Sequence, residues 1–155
     1  MLEFPFNPFE IKPILEGASE IICCYFDKAR DVAYKSDGSP LTRADTESNE
    51  FLHSALRALF PESAWLSEET RDNPDRLGKA WVWIVDPMDG TKEFVRGIPE
   101  IAVSIGLVRD GLPVFGAIMN PLTKEGAIGW GSEIHLWGME ANNASCASLS
   151  EATAS

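Results

Sequence analysis

Two carboxylates, Asp86 and Asp89, sit close together in the run WVWIVDPMDGTKEF at residues 81–94. Oxygen ligands at such spacing suit a hard cation, and Mg2+ commonly binds through one or two carboxylates together with a substrate phosphate. Gly90 permits close backbone approach, and Thr91, Lys92, Glu93 and Phe94 could open a helix whose first N–H groups have no internal partner and therefore favour an anion. Acids beside an anion site repel it and each other unless cations lie between them. Metal-assisted phosphate chemistry is the reading this stretch suggests. An ordinary turn uses the same residues, with Asp and Pro at its first positions and Gly after them, and on this stretch alone both readings stand.

Further acids fall where they could join this pair. Glu68 and Glu69 follow the apolar residues Ala64, Trp65 and Leu66, at the end of a short predicted strand. Strand ends of open α/β folds form the crevice in which ligands bind, so Glu68 could meet Asp86 across neighbouring strands. A solvated loop is the alternative, since residues 70–76 continue polar. Asp45 follows Thr42 at the third position, which is a helix start signal, and there it could simply complement the helix dipole. His53 has no second histidine nearby and reads as a surface or half-buried side chain; Tyr25, Cys23 and Cys24 read as core packing.

The elements that must carry these residues follow from hydrophobic period. Residues 81–85 are aromatic and β-branched without charge, as suits a strand buried on both faces, and Pro87 is expected to end its ladder in a sharp turn. Ile14, Ala18, Ile21, Ile22 and Tyr25 predict an amphipathic helix over 9–30. Residues 31–41 read as a short strand broken by a turn, and Phe51, Leu52, Ala55, Leu56 and Leu59 mark a second helix that Pro61 ends. Ile101, Val103, Ile105 and Leu107 alternate with small residues as a strand does. Arg109, Asp110 and Gly111 then form a hairpin turn, residues 114–119 return, and residues 126–130 offer a third strand after a turn at Asn120 to Thr123. The expected class is α+β: helices layered on a mixed, largely antiparallel sheet. From Ala141 onward the chain is small and polar and looks cut.

The chain has 155 residues, 45% of them apolar and 24% charged, which is ordinary for a soluble domain with a real core. A formal net charge of −11 argues against a grip on a nucleic-acid polymer, and an anionic small molecule would need metal to be held. Cys23, Cys24 and Cys146 form neither a disulfide framework nor a zinc pattern, so a reducing cytoplasm is expected. The N-terminus lacks the basic-then-apolar pattern of a signal peptide, and no stretch reaches membrane-spanning length, so no membrane association is expected.

Taken in order, Asp45, the pair Glu68 and Glu69, and the string Asp86, Pro87, Met88, Asp89, Gly90, Thr91 resemble the magnesium-dependent, lithium-sensitive phosphatases typified by inositol monophosphatase and 3'(2'),5'-bisphosphate nucleotidase. The likeness runs from the first helix to about Trp130. It implies the sandwich of the sugar-phosphatase type, with Glu68, Asp86, Asp89 and the Met88 carbonyl as metal ligands and Asp86 bridging two ions. It implies that Asp45, Glu68 and Thr91 orient or help deprotonate the attacking water, that Asp89, Gly90 and Thr91 take the phosphate, and that Glu69 supports the ligands from behind. Mg2+, with Mn2+ as a substitute and Li+ as an inhibitor, a small phosphorylated substrate and homodimer formation are further implications.

The resemblance also departs from the family. Its second, α/β domain carries a Trp-Asp element, whereas Trp137 here is followed by Gly138. The expectation is an N-terminal metal- and phosphate-binding domain over 1–140, with 141–155 a linker or the start of an absent C-terminal domain. Such a truncated chain would be weakly active or inactive alone. Lys92 and Glu93 after Thr91 lean toward the nucleotidase branch; inositol monophosphate and histidinol phosphate are the other substrates considered. A non-catalytic metal-binding or dimerising remnant of the same fold is the reading of another class.

Overall fold

A computed structural model describes residues 3–28 and 32–139. Asn7 caps a short 3-10 turn, Pro8–Glu10, which leads into helix α1, Ile11–Phe26. Two short strands, β1 at Val32–Tyr34 and β2 at Pro40–Thr42, pair antiparallel as a separate hairpin. Helix α2, Arg43–Leu59, follows at once, and β3 spans Ala64–Ser67. After a second 3-10 turn at Pro74–Gly78 come β4 at Trp81–Asp89 and the short helix α3 at Thr91–Val95. Strands β5, Ala102–Arg109, β6, Leu112–Met119, β7, Gly126–Trp130, and β8, Glu133–Trp137, complete the described chain. The expected boundary near residue 140, the segment 141–155 and Cys146 lie outside the described residues.

Strands β3 to β8 form one six-stranded sheet in chain order; β3 runs parallel to β4 and every other pair is antiparallel. Helices α1 and α2 cover one face. Ile11, Leu15, Ala18 and Ile22 of α1 and Leu52 and Leu56 of α2 are buried with Trp83, Val85, Ile105, Leu107, Phe115 and Ile128. The buried stripe of α1 is rotated from the expected one, because Leu15 takes the core position and Ile14 and Ile21 stay half-exposed. Gly17 lets the two helices approach, since a Cβ there would stand 2.5 Å from the Phe51 ring.

The sheet's other face carries no helix among the described residues. Ile84, Ile118, Ile134 and Leu136 are exposed on it. Between these aliphatic side chains Gly106, Gly116 and Gly129 stand in register on β5, β6 and β7.

Strand β4 is buried on one face only, not on both as expected, because Ile84 stands exposed between buried Trp83 and Val85, and Cys24, expected in the core, is exposed. Two further sequence expectations need correction. The strand expected to stop at Pro87 continues to Asp89 through a bulge: Asp86 pairs with Ser104, but Asp89 pairs with Ala102. Pro87 has no N–H to give a ladder, and the irregular register accommodates it. Strand β8 is the second difference, since it was not expected. Its two outward aliphatic residues and its Glu, His and Trp form only a short alternation. The turn at Asp110 and Gly111, with φ of 51° and 81°, has the left-handed backbone that a two-residue hairpin needs.

Candidate active site

The bulge in β4 decides where the acids point. Residues three apart on a regular strand face opposite sides of a sheet. Here the extra residue restores the phase, so Asp86 and Asp89 lie opposite Ser104 and Ala102, which share the open face. The parallel pairing of β3 with β4 sets Ser67 against Val85, and the Glu68 N–H donates to the Val85 carbonyl at 3.3 Å. Glu68 thereby follows its strand onto the same face, beside Asp86. Three carboxylates from two adjacent strand ends are electrostatic neighbours at one end of the sheet, without closing on a common point.

Their proximity has an electrostatic signature. Burial, the charges of Glu68 and Asp89, and a hydrogen bond with Glu68 together push Asp86 up to about 7, against a smaller opposing effect of the Met88 N–H, which donates to Asp86 Oδ1 at 3.1 Å. Among the described residues, no three Asp, Glu, His or Cys side chains are gathered closely enough to hold one ion between them. Glu68, Asp86 and Asp89 are thus neighbours that repel, not a closed set of ligands. An all-oxygen donor set under mutual repulsion fits a hard divalent cation, which would offset that repulsion.

Asp45 is fully buried in the first turn of α2. Its Oδ2 accepts from the Thr42 N–H at 2.7 Å and the Thr42 hydroxyl at 2.6 Å, which completes a capping box. That leaves Oδ1, which accepts from the Thr91 hydroxyl at 2.9 Å. The dipole and capping reading of Asp45 is therefore correct for one oxygen, while the other reaches across the fold to the first residue of α3. The Thr91 hydroxyl also lies 3.2 Å from the Met88 carbonyl, but it has one proton, and Asp45 Oδ1 is the nearer acceptor. The Met88 side chain is buried, so only its carbonyl can serve a ligand.

Gly90 has φ of 91°, and a Cβ on it would stand 2.6 Å from the Glu100 carbonyl oxygen. Only glycine suits both conditions. This residue joins β4 to α3 and brings Thr91 back beside Met88.

Glu68 and Glu69 have different surroundings. The Glu69 side chain is 7% exposed and accepts from Lys35 Nζ at 2.6 Å, whereas Glu68 is 57% exposed with Lys35 at 3.6 Å. Burial raises the Glu69 carboxyl and Lys35 opposes that rise. Burial would lower Lys35, but the hydrogen bond to Glu69 and the charges of Glu69, Glu68 and Asp45 outweigh it, so Lys35 holds its proton more tightly than usual. The Glu69 N–H donates to Ser67 Oγ at 3.2 Å, and Ser67 Oγ donates to Asn49 Oδ1 at 2.5 Å, which ties the end of β3 to α2. Lys35 was not among the residues singled out from sequence. It lies on the hairpin after β1, and only the folding of that hairpin toward β3 signals it.

A cavity of about 210 Å³ opens among these groups, with Lys35, Glu68, Met88, Asp89, Gly90 and Thr91 in its wall. A larger hollow of about 850 Å³ follows the open sheet face and reaches the acids only at Glu68 and Asp86. Its wall is aliphatic and glycine-rich, whereas the smaller cavity is polar; Asp86 borders the larger hollow and Glu68 borders both.

Both the sequence and the fold of the chain match known proteins. Residues 8–154 match the inositol monophosphatase family. The bifunctional phosphatase IMPL2 of Arabidopsis thaliana is 35% identical over 140 residues, covering 90% of this chain and 40% of that protein. A histidinol-phosphatase of Chlorobaculum parvum is 31% identical, covering 89% of this chain and 56% of its own length. Among solved structures, CysQ of Bacteroides thetaiotaomicron superposes with a TM-score of 0.65 at 33% identity, over 87% of this chain and 51% of that one. The suhB protein of Bartonella henselae gives 0.75 at 27% identity, over 83% and 50%. The chain thus spans about half the length of the relatives it matches. A family match over nearly all of the sequence, together with this fold, establishes that the chain belongs to the inositol monophosphatase family.

Proposed function

We propose that this chain carries the metal- and phosphate-binding part of a Mg2+-dependent phosphate monoester hydrolase. The observation that supports it most is the Thr91 hydroxyl, hydrogen-bonded to buried Asp45 at 2.9 Å, beside the Glu68, Asp86 and Asp89 carboxylates. Glu68, Asp86, Asp89 and the Met88 carbonyl would hold the metal, with Mn2+ as a substitute and Li+ as an inhibitor. When bound, the ion supplies positive charge against the phosphoryl oxygens and acidifies water.

The chain's own groups do the rest. With its proton directed to Asp45 Oδ1, Thr91 Oγ1 presents lone pairs to an attacking water and orients it. Asp45 cannot turn away, because Thr42 holds its other oxygen. Glu68, the more exposed of its pair, would help deprotonate the water, while Glu69, bound by Lys35, supports it from behind. The backbone at Asp89, Gly90 and Thr91 receives the phosphate.

A 3'(2'),5'-bisphosphate nucleotide is the substrate we favour, on the run Thr91, Lys92, Glu93; Lys92 and Glu93 line the polar cavity. Inositol monophosphate and histidinol phosphate are the competitors. Phosphate release from each of the three, with Mg2+ and with EDTA, tests the proposal. Metal-dependent release that is fastest from the bisphosphate nucleotide supports it, and metal-independent release refutes it.

The exposed aliphatic face at Ile84, Ile118, Ile134 and Leu136 favours a second reading, a non-catalytic metal-binding module that dimerises. Calorimetry separates the two: Mg2+ binding abolished by Asp86→Asn, without turnover of any substrate, selects the module.

A further inference from the structure

A second polar cavity lies away from the acids, outboard of edge strand β3, between the last turns of α2 and the loop that follows β3. Its volume is about 330 Å³, at the lower end of the range for small-molecule sites. Arg57, Arg71, Arg76 and Lys79 contribute to its wall, against one carboxylate, Asp75. The chain has only 13 Lys and Arg residues and a net charge of −11, so this is a strong local concentration of positive charge.

Most of that charge is unspent within the fold. Arg76 is held by Asp72, with Nε and Nη2 at 2.7 and 2.9 Å from its two oxygens. Among the described residues, the Arg57, Arg71 and Lys79 side chains have no hydrogen-bond or ion-pair partner. Each is a donor group facing a shared hollow.

One wall is flat and fixed. The Trp65 indole N–H donates to Thr70 Oγ1 at 3.3 Å, and the Asn49 amide donates to the same oxygen at 2.9 Å. His53 packs edge-on against Trp65 with ring centroids 4.9 Å apart. An indole held in this way offers a stacking surface at little entropic cost, and guanidinium groups beside it match phosphate geometry.

We infer that this cavity binds a nucleoside monophosphate, its base stacked on Trp65 and its phosphate held by Arg57, Arg71 and Lys79. The site is separate from the acids. Arg57 lies roughly 18 Å beyond Asp45 along α2, at a rise of 1.5 Å per residue.

The test is an NMR and calorimetric titration of the full chain with 5'-AMP in EDTA, which removes metal-dependent binding at the acids. The expected result is a shift of the Trp65 indole N–H resonance, identified through Trp65→Phe, with a sub-millimolar dissociation constant that weakens as salt is raised. Ribose 5-phosphate, which has the charge without the ring, should bind at least about tenfold more weakly, as should AMP to the Arg57→Gln, Arg71→Gln double variant at unchanged melting temperature; tenfold is about 1.4 kcal/mol. Asp86→Asn should leave the titration unaltered. No shift at about 10 mM AMP, which corresponds to less than roughly 3 kcal/mol of binding, overturns the inference. Equal binding of ribose 5-phosphate, or undiminished binding by the double variant, also overturns it.

Discussion

Thr91 and Asp45 show how one hydroxyl can link distant parts of a chain. Thr91→Val should lower turnover by about 100-fold or more, as loss of a positioned polar group in a buried site does. It should also cost about 1–3 kcal/mol of stability, because Asp45 Oδ1 is left buried without a partner. Thr91→Ser should recover most of both. Phosphate release and urea midpoints read the two effects separately. Asp86 gives a prediction in pH. An acid whose folded pKa is raised keeps its proton in the folded chain after the unfolded chain has lost it, so stability falls as pH rises from the ordinary carboxylate range toward 7 and then levels. With Asp86 pushed up to about 7, the melting temperature in EDTA should fall across that window, and Asp86→Asn should flatten the fall. The residue types and order at this site were legible from sequence. Lys35 was not, because its approach to Glu69 depends on how a hairpin folds over a strand distant in the chain.

The capping box at Thr42 and Asp45 could be read directly, since its donors and acceptors lie within one turn. Hairpin β5–β6 was equally plain from its alternation and its Asp110-Gly111 turn. The bulge in β4 was not legible. Whether an extra residue turns the chain or is absorbed in the ladder depends on the register of β5, which one strand's sequence does not contain. At the junction that follows, Gly90→Ala should destabilise by about 1–3 kcal/mol, from left-handed strain and the approach to the Glu100 carbonyl. Displacement of α3 should reduce turnover as well. Chemical denaturation together with phosphate release checks both.

At the largest scale, the described residues leave one sheet face without a helix and with exposed aliphatic side chains. Alternation predicted β5, but it did not reveal that, among the described residues, the helices cover only one side of the sheet. Ile118→Lys, on that side and exposed, should reduce self-association in light scattering while leaving the melting temperature unchanged. The strand order has a separate consequence for biosynthesis. From β4 to β8 each strand pairs with the one translated just before it, so the sheet can accrete on the ribosome. Helix α1 is made first but packs on β5 and β6. At 5–20 residues per second it waits roughly 5 to 20 s for β6 to emerge, with only α2 to shelter its apolar stripe, and over that interval a chaperone has its best claim on the nascent chain.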